Sequence, residues 1–307
     1  MKDPFISVII PNYNHARFLD ERIQSVLYQS YKNFEVIILD DKSTDNSVEV
    51  IEKYRNNPQI THIIYNEKNS GSTFKQWSKG FSLAKGDYIW IAESDDSCEY
   101  TLLENLVKKI DENIVVAYAR SLQIDENNIK RPYFLQKFIG PQDFIMKGEA
   151  YIKQYLSINN FISNASSAIF RKDIAITLNP QYSEMKGEGD WLFWIEMLEC
   201  GDIAFINKPL NFFRQHSNNT TQQLGNNGVG FIEHKKTFDY LVHKKYIRGI
   251  NIFKSKISNI NKYLHYNYIN DESKQSVLKV WDRYYVYRMI LPLYLFLVKL
   301  KKNKYEH

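Results

Sequence analysis

Short apolar runs that alternate with amphipathic segments constrain the fold of this chain more than any other feature. The runs at residues 5–11, 34–39 and 87–92 are rich in β-branched and aromatic residues and are typical of strands covered on both faces of a sheet. Helical patterns follow the first two runs, at about residues 14–29 and 46–54. This alternation predicts right-handed βαβ units, and therefore an α/β fold with a mostly parallel sheet flanked by helices.

The remaining elements continue this pattern to about residue 206. Asn14 is the expected N-cap of the first helix. Polar, irregular sequence at residues 121–147 predicts a loop or lid over the site, and the last strand is expected to lead into a turn at Pro209. Further strands are predicted at residues 60–65, 115–118, 168–170 and 203–206, and further helices from Ser72 to Gly86, at 101–112 and at 190–199.

An acidic cluster directly follows the strand at residues 87–92. Glu93, Asp95 and Asp96 lie within four positions, at the end of a strand where open α/β sheets bind ligands. Carboxylates this close repel one another unless a proton or a cation intervenes, and oxygen ligands of this kind suit Mg²⁺ or Mn²⁺. The alternative interpretation is an acidic surface turn that caps the helix beginning near Thr101. Both interpretations are open at this point.

Other acidic residues follow the predicted pattern at the same edge of the sheet. Asp40 and Asp41 lie at the carboxyl end of the second strand, and Glu188 and Asp190 are expected at the carboxyl end of a later one, while Tyr13 lies in the loop after the first strand. The sequence contains neither of the glycine-rich phosphate-binding motifs. A metal ion would then have to neutralise bound phosphates, which indicates a nucleotide-activated donor whose diphosphate leaves.

Five motifs, in order along residues 5–220, resemble those of glycosyltransferase family 2. They are Val8-Ile9-Ile10-Pro11-Asn12-Tyr13-Asn14, Asp40-Asp41-Lys42-Ser43-Thr44-Asp45, the run from Gly86 to Asp96, Gly187-Glu188-Gly189-Asp190-Trp191, and Arg214-Gln215-His216-Ser217-Asn218-Asn219-Thr220. The resemblance implies a GT-A (Rossmann-like) fold. It also implies inverting transfer of a sugar from a nucleoside diphosphate sugar, with UDP-linked donors first, to a saccharide or lipid-linked saccharide, in the assembly of a bacterial surface polysaccharide.

The resemblance implies a role for each matched donor-site residue. Tyr13 matches the position that stacks on the nucleobase, next to Pro11, and Asp41 matches the carboxylate that accepts a hydrogen bond from the base. Asp96 matches the last acid of the metal-binding D-x-D-like motif, and Asp95 is expected to turn toward the donor sugar or its ribose.

The two late motifs supply the remaining site residues. Asp190 matches the catalytic base, although Gly189 stands where the family more often has Glu. His216 matches a position that approaches the metal, Mn²⁺ or Mg²⁺, or the diphosphate. The secondary candidates are Glu188, Glu93 and Arg214.

Several aromatic residues and histidines receive no role in the site. Trp191, Phe193 and Trp194 are expected in the core because of their helical phasing. The remaining histidines lack metal-type spacing and are expected on the surface or in the core: His15, His62, His234, His243 and His265.

The charge distribution divides the chain into two predicted domains, the GT-A domain at residues 1–225 and a basic, helical C-terminal extension at residues 226–307. The first has 24 Lys and Arg against 29 Asp and Glu, and the second has 16 against 6, a balance of +10. A basic domain favours an anionic partner. A nucleic acid is not expected, because no recognised binding motif occurs.

The apolar run at residues 289–298 is flanked by basic residues and would span about 15 Å as a helix, too short to cross a bilayer. It is expected either to contact the membrane surface or to pack on the protein. Two cysteines without metal spacing and no visible signal peptide favour the cytoplasm, including the inner face of its membrane.

Functions other than sugar transfer account for fewer of these residues. A non-catalytic nucleotide- or glycan-binding scaffold on the same fold would have no use for a base at Asp190. A nucleotidyltransferase would be expected to carry a glycine-rich triphosphate loop, which this sequence lacks.

Overall fold

A computed structural model describes residues 3–131, 139–216 and 220–281 of this protein. The chain divides into two compact units, Met1–Ser217 and Asn218–His307. The boundary predicted from the charge balance, after residue 225, falls within the first helix of the second unit.

The first unit is built on a mixed sheet that has ten strands among the described residues. The strands are β1 Ile6–Asn12, β2 Phe34–Asp40, β3 Ile60–Tyr65, β4 Tyr88–Ile91, β5 Ser97–Cys98, β6 Ile114–Asp125, β7 Lys130–Arg131, β8 Phe144–Met146, β9 Ala168–Arg171 and β10 Asp202–Gln215. Their order is β3-β2-β1-β4-β9-β6-β10-β5, with β7 paired to β6 and β8 to β10. The neighbours β3-β2-β1-β4 are parallel, as are β6 and β10, whereas β9 runs antiparallel between β4 and β6. The predicted α/β class is confirmed.

Helices flank this sheet and make up the regular structure described in the second unit. In the first unit they are α1 Ala16–Leu27, α2 Ser47–Glu52, α3 Thr73–Leu83, α4 Leu102–Val107, α5 Gly148–Tyr151, α6 Lys172–Ala175 and α7 Gly189–Leu198. A π-helical turn, Ile152–Leu156, continues α5, and 3₁₀ turns lie at Ala165–Ser167 and Pro180–Glu184. In the second unit they are α8 Thr220–Asn226, α9 Val229–His243, α10 Ile250–Leu264 and α11 Asp271–Val280.

β1 is buried along its whole length because helices cover both of its faces. Val8 and Ile10 belong to the same core cluster as the apolar face of α1. Ile9, on the other face, packs so tightly on α3 that a Cβ at Gly80 would lie 2.6 Å from its Cδ1 atom. The alternation of side chains in a strand therefore explains why this run has no polar face.

Aromatic residues join α3 to α7. The ring centroid of Trp77 lies 5.8 Å from that of Phe193 and 6.4 Å from that of Trp194. Trp191, Phe193 and Trp194 are almost completely buried, which confirms their predicted place in the core.

The start of the first helix differs from the prediction. Asn14 is not its N-cap: it has a φ of 57°, and its side-chain oxygen accepts a hydrogen bond from the backbone N–H of Thr44. The Ala16 N–H at the helix start donates instead to Asp45, at 2.9 Å. Asp45, the acceptor, lies in the loop after β2. The periodicity of the helix itself does not predict a contact with this loop.

Two strands are longer than predicted. β6 extends to Asp125 into the predicted irregular segment 121–147, and β7 and β8 also form there, while residues 132–138 lie outside the described parts of the chain. β10 continues through Pro209, with register shifts on both sides of it. Such irregularities accommodate proline, which cannot donate a backbone hydrogen bond.

An aromatic cluster forms the core of the second unit. The indole N–H of Trp281 donates to the carbonyl of Phe231 at 2.9 Å, and Phe231 stacks on Tyr263 with ring centroids 4.3 Å apart. His234 packs beside Trp281 and Tyr263, and burial, with the nearby Lys262 charge, lowers its pKa to about 3.

No described helix combines the length and the apolar character needed to cross a bilayer. The apolar run at residues 289–298 lies outside the described residues.

The buried His234 predicts that stability falls at acidic pH. Because its pKa in the folded chain is about 3, against 6.5 for an ordinary histidine, the unfolded chain binds the extra proton between these pH values. Lowering the pH from 8 to 5 should therefore cost about 2 kcal/mol of unfolding free energy through this residue. Urea unfolding of the native chain and of His234→Phe at both pH values measures this contribution, since other titrating groups cancel. An equal pH dependence in the two proteins would contradict the assignment.

Candidate active site

The acidic turn Glu93–Asp96 follows β4 at the same edge of the sheet as the ends of β1 and β2. β1 pairs in parallel with both neighbours, so Asn12 lies opposite Asp40 and donates to its carboxylate at 2.8 Å. The polar residues that follow three successive strands therefore share one edge, as the sequence predicted.

The turn does not serve to cap the following helix. The N-cap of α4 is Thr101, which makes no side-chain capping bond, and the N–H of Leu102 donates to the carbonyl of Glu99. The alternative interpretation as a capping turn is therefore wrong.

Asp95 lies in a cluster with two histidines. One ligand atom each from His15, Asp95 and His216 lies within 4.8 Å of the other two, and the Nε2 atom of His216 is 3.1 Å from an Asp95 oxygen. Two ligands of one ion, each about 2.1 Å from it, lie at most about 4.2 Å apart, so a small inward movement would bring all three atoms to one ion. A set of two imidazoles and one carboxylate fits Mn²⁺ better than Mg²⁺, which prefers oxygen.

Contrary to the prediction that gave it no role in the site, His15 lies in this cluster. Its Nδ1 atom is 2.8 Å from the hydroxyl of Ser94, and its ring centroid lies 5.5 Å from that of His216. The available signal was its position just after Tyr13 and Asn14, at the sheet edge where the acidic turn was expected.

Asp96 is directed into the protein. Its buried carboxylate accepts hydrogen bonds from Asn164 at 2.8 Å, from Ser166 at 2.6 Å and from the backbone N–H of Arg214 at 2.9 Å. The side chain of Asp95, by contrast, is 20% exposed. The structure therefore places Asp95, instead of the predicted Asp96, beside His216.

Two buried arginines stabilise the acidic turn from the inside of the protein. The Nε–H group of Arg22 donates to the carbonyl of Glu93 at 2.9 Å, and that of Arg214 donates to the carbonyl of Asp95 at 2.7 Å. Arg214 also pairs with Glu21 at 2.8 Å. The Arg214 guanidinium therefore already has hydrogen-bond partners inside the protein. Its position suits it to stabilise the acidic turn better than to bind a diphosphate.

The three acidic side chains differ in protonation because their surroundings shift their pKa values differently. Burial, and then the charge of Asp95, raises the pKa of Glu93 to about 8 and that of Asp96 to about 6. Burial also acts to raise the pKa of Asp95, but the hydrogen bond with His216 and the proximity of His15 outweigh it and lower the pKa. At neutral pH the most strongly ionised carboxylate is therefore the one beside the imidazoles. The protonated Glu93 accepts the indole N–H of Trp77 at 2.9 Å.

The predicted nucleobase residues occupy the ends of β1 and β2. Tyr13 is 47% exposed, whereas Pro11 is buried in β1. The Asp41 carboxylate is buried and accepts hydrogen bonds from the backbone N–H of Ser70 at 2.9 Å, from Asn66 at 2.6 Å and from Gln76 at 2.9 Å. An N–H group of a bound nucleobase would therefore have to share the Asp41 carboxylate with the protein donors that already hydrogen-bond to it.

Asp190 lies in the first turn of α7. It accepts a hydrogen bond from Asn160 at 2.8 Å, and Asn164 on the same segment donates to Asp96. Four residues of chain span at most about 14 Å, so the two asparagines that bind these carboxylates have Cα atoms no farther apart than that.

Close packing leaves no room for a side chain at Gly189, where the family resemblance predicts a glutamate. A Cβ at this position would lie 2.4 Å from the carbonyl oxygen of Tyr182 and 2.7 Å from the ring of Phe74. No larger side chain fits without displacing the start of α7. Glu188, the predicted substitute, is the N-cap residue of this helix.

A comparison with known protein families shows to which family this chain belongs. The model described as Glycosyl transferase family 2 matches residues 7–178. The chain belongs to glycosyltransferase family 2. It is 32% identical to Glycosyltransferase GlyG of Streptococcus pneumoniae over 223 residues, which cover 69% of this chain and 71% of GlyG. It is also 36% identical over 101 residues to the putative teichuronic acid biosynthesis glycosyltransferase TuaG of Bacillus subtilis, covering 33% of this chain and 40% of TuaG.

Solved structures show that this family 2 glycosyltransferase has the predicted GT-A fold. Staphylococcus aureus TarS 1–349 in complex with UDP-GlcNAc matches with a TM-score of 0.57 at 19% identity, covering 89% of this chain and 70% of that one. The mannosyltransferase PcManGT of Pyrobaculum calidifontis, in complex with GDP-Man and Mn²⁺, matches with a TM-score of 0.57 at 14% identity, covering 97% and 80%.

The support from Arg22 predicts a specific loss of stability in this glycosyltransferase. Arg22→Met removes the donor to Glu93 and leaves the buried Asp96, 3.9 Å from the Arg22 guanidinium, without that charge partner. We expect a loss of about 3 kcal/mol in unfolding free energy at pH 7, the low end for a broken buried pair, because the contact is long and Asp96 can take up a proton.

Urea unfolding measures this loss, with the exposed Arg17→Met on the same helix as a matched control. The double variant Arg22→Met/Asp96→Asn should lose less than the sum of the two single variants. If Arg22→Met costs no more than Arg17→Met, Arg22 does not support the turn.

Proposed function

We propose that this glycosyltransferase is a metal-dependent inverting enzyme that transfers a sugar from a nucleoside diphosphate sugar to an acceptor hydroxyl. The cluster of His15, Asp95 and His216 at the carboxyl end of β4 is the observation that carries the proposal. Complexes of proteins with the same fold, TarS with UDP-GlcNAc and PcManGT with GDP-Man and Mn²⁺, support this donor class and this metal.

The metal site consists of Asp95 and the two histidines, in place of the Asp96 and His216 pair expected from the sequence. Asp95 is suited to a cation because its pKa is lowered and its side chain is partly exposed. A bound Mn²⁺ would act as a Lewis acid that stabilises the departing diphosphate. Asp96 has a supporting role, because its carboxylate is occupied by protein donors.

The donor nucleotide lies over the ends of β1 and β2. The exposed ring of Tyr13 offers a face for the nucleobase, with Pro11 and Asp41 at the neighbouring strand ends. UDP-linked sugars are the first candidates, since UDP-GlcNAc is the ligand in the similar TarS structure.

Asp190 is the catalytic base. Inversion requires a carboxylate that takes the acceptor hydroxyl proton while that oxygen attacks the face opposite the leaving group. The hydrogen bond from Asn160 orients the Asp190 carboxylate, and the Asn160–Asn164 segment ties it to the acidic turn. Glu188 lies two residues earlier and is the secondary candidate.

The acceptor is a saccharide or lipid-linked saccharide of a bacterial surface polysaccharide. Two relatives support this class by name: TuaG is described as a putative teichuronic acid biosynthesis glycosyltransferase, and TarS as a poly(ribitol-phosphate) β-N-acetylglucosaminyltransferase. The matches to TuaG and TarS span 40% and 19% of those proteins, so the acceptor belongs to the proposal.

The metal assignment predicts that Asp95→Asn loses metal-dependent donor binding. Titration calorimetry with UDP should show tighter binding with Mn²⁺ than without it in the native protein, and this gain should fall at least about tenfold in Asp95→Asn. His216→Ala should behave similarly, whereas His243→Ala, an exposed histidine at the end of α9, should bind as the native protein does. An undiminished Mn²⁺ effect in Asp95→Asn would remove Asp95 from the site.

The base assignment predicts that Asp190→Asn separates binding from turnover. UDP affinity with Mn²⁺ should stay within a few-fold of the native value, because Asp190 contacts the acceptor and not the donor. Release of UDP from UDP-sugars in the presence of saccharide acceptors should slow at least about a hundredfold. Glu67→Gln, an exposed carboxylate after β3, is the matched control. Normal turnover in Asp190→Asn would exclude Asp190 as the base.

A further inference from the structure

The second unit carries a short stretch of chain that combines exposed apolar side chains with exposed cations. Ile250 and Phe253 in the first turns of α10 are 65% and 46% exposed. The exposed cations lie on the α9–α10 connection and on α10 beside them. We call this surface the α10 patch, made of Lys244, Lys245, Arg248, Ile250, Phe253 and Lys254.

The charge of this stretch has a single sign. Residues 244–256 contain five Lys and Arg and no Asp or Glu. The first turn of α10 also contains no acidic residue. The α10 patch therefore presents a positive surface around its apolar side chains.

The backbone holds the α10 patch in a defined shape. Lys245 follows the end of α9 with a φ of 63°, and Gly249 precedes α10 with a φ of 55°. The buried side chains of Ile247 and Ile257 anchor the connection and the helix in the core of the second unit. Ile250 and Phe253 are thus exposed on an anchored helix instead of at a free chain end.

We infer that the α10 patch docks this protein on an anionic lipid surface. Lysine and arginine near such a surface each contribute about fivefold to binding, and exposed aliphatic and aromatic side chains enter the interface between headgroups and acyl chains. A nucleic acid would bind the cations but would leave Ile250 without a stacking role, since its side chain has no aromatic face. The combination of both kinds of side chain therefore favours lipid.

This inference is independent of the proposed sugar transfer, because vesicle binding requires neither donor nor turnover. It is also distinct from the membrane contact predicted for residues 289–298, which lie outside the described residues. It assigns the lipid contact to a described helix in the second unit.

Co-flotation of the full chain with vesicles tests the α10 patch. The vesicles contain phosphatidylcholine with about one third phosphatidylglycerol, and pure phosphatidylcholine vesicles serve as the neutral comparison. One variant removes the apolar pair, Ile250→Ser/Phe253→Ser, and the other removes charge, Lys245→Gln/Arg248→Gln/Lys254→Gln. The matched controls make the same changes at exposed positions of the first unit, Ile158→Ser/Ile176→Ser and Lys32→Gln/Lys53→Gln/Lys68→Gln.

We expect the native chain to float with the anionic vesicles and not with the neutral ones. Each patch variant should bind at least about tenfold more weakly, and both controls should bind as the native chain does. Unchanged circular dichroism and thermal unfolding of the variants would show that they are folded.

Four results would overturn the inference. The native chain could remain in solution with anionic vesicles, or the patch variants could float as well as the native chain or lose no more binding than the controls. Loss of binding in the charge variant alone would indicate a contact with polyanions in general. Retained binding of the apolar variant to single-stranded DNA would then identify nucleic acid as the partner.

Discussion

Two buried guanidinium groups hold the acidic turn after β4, and the rest of the site depends on this contact. Arg22 and Arg214 donate to backbone carbonyls of Glu93 and Asp95, so the turn is fixed through its main chain. Asp96 completes the attachment by accepting from the backbone of Arg214. Because these bonds occupy the inner side of the turn, Asp95 is left on the outer side, beside the two histidines.

This arrangement separates buried carboxylates from a partly exposed one within four positions of sequence. Burial raises the pKa of Glu93 and Asp96, whereas the neighbouring imidazoles lower that of Asp95. A turn with three equal carboxylates would repel itself. Here burial keeps Glu93 protonated at neutral pH and protein donors occupy the Asp96 carboxylate, so Asp95 is the ionised side chain of the turn that faces the two imidazoles.

Local sequence patterns were sufficient to predict the strands that carry the site, but not its detailed assignment. β1, β2 and β4 are continuous apolar runs, and their polar ends fall at one sheet edge. Whether Asp95 or Asp96 faces outward depends on Asn164 and Arg214, which lie 68 and 118 positions from Asp96 in the chain. His15 escaped prediction for a similar reason, because its neighbour His216 comes from the distant end of β10. β10 is longer than predicted because it pairs with β6 on both sides of Pro209. A local sequence pattern does not predict such pairing.

The close packing at Gly189 fixes the start of α7, and with it the position of Asp190. The start of α7 rests directly on the carbonyl of Tyr182 and the ring of Phe74. The adjacent Ser72 hydroxyl donates to the carbonyl of Met185 at 2.6 Å. Asp190, the proposed base, thus follows a tight contact between the start of α7, α3 and the 180–185 segment, so an added methyl group at Gly189 would displace the start of α7 and change the reach of the Asp190 carboxylate.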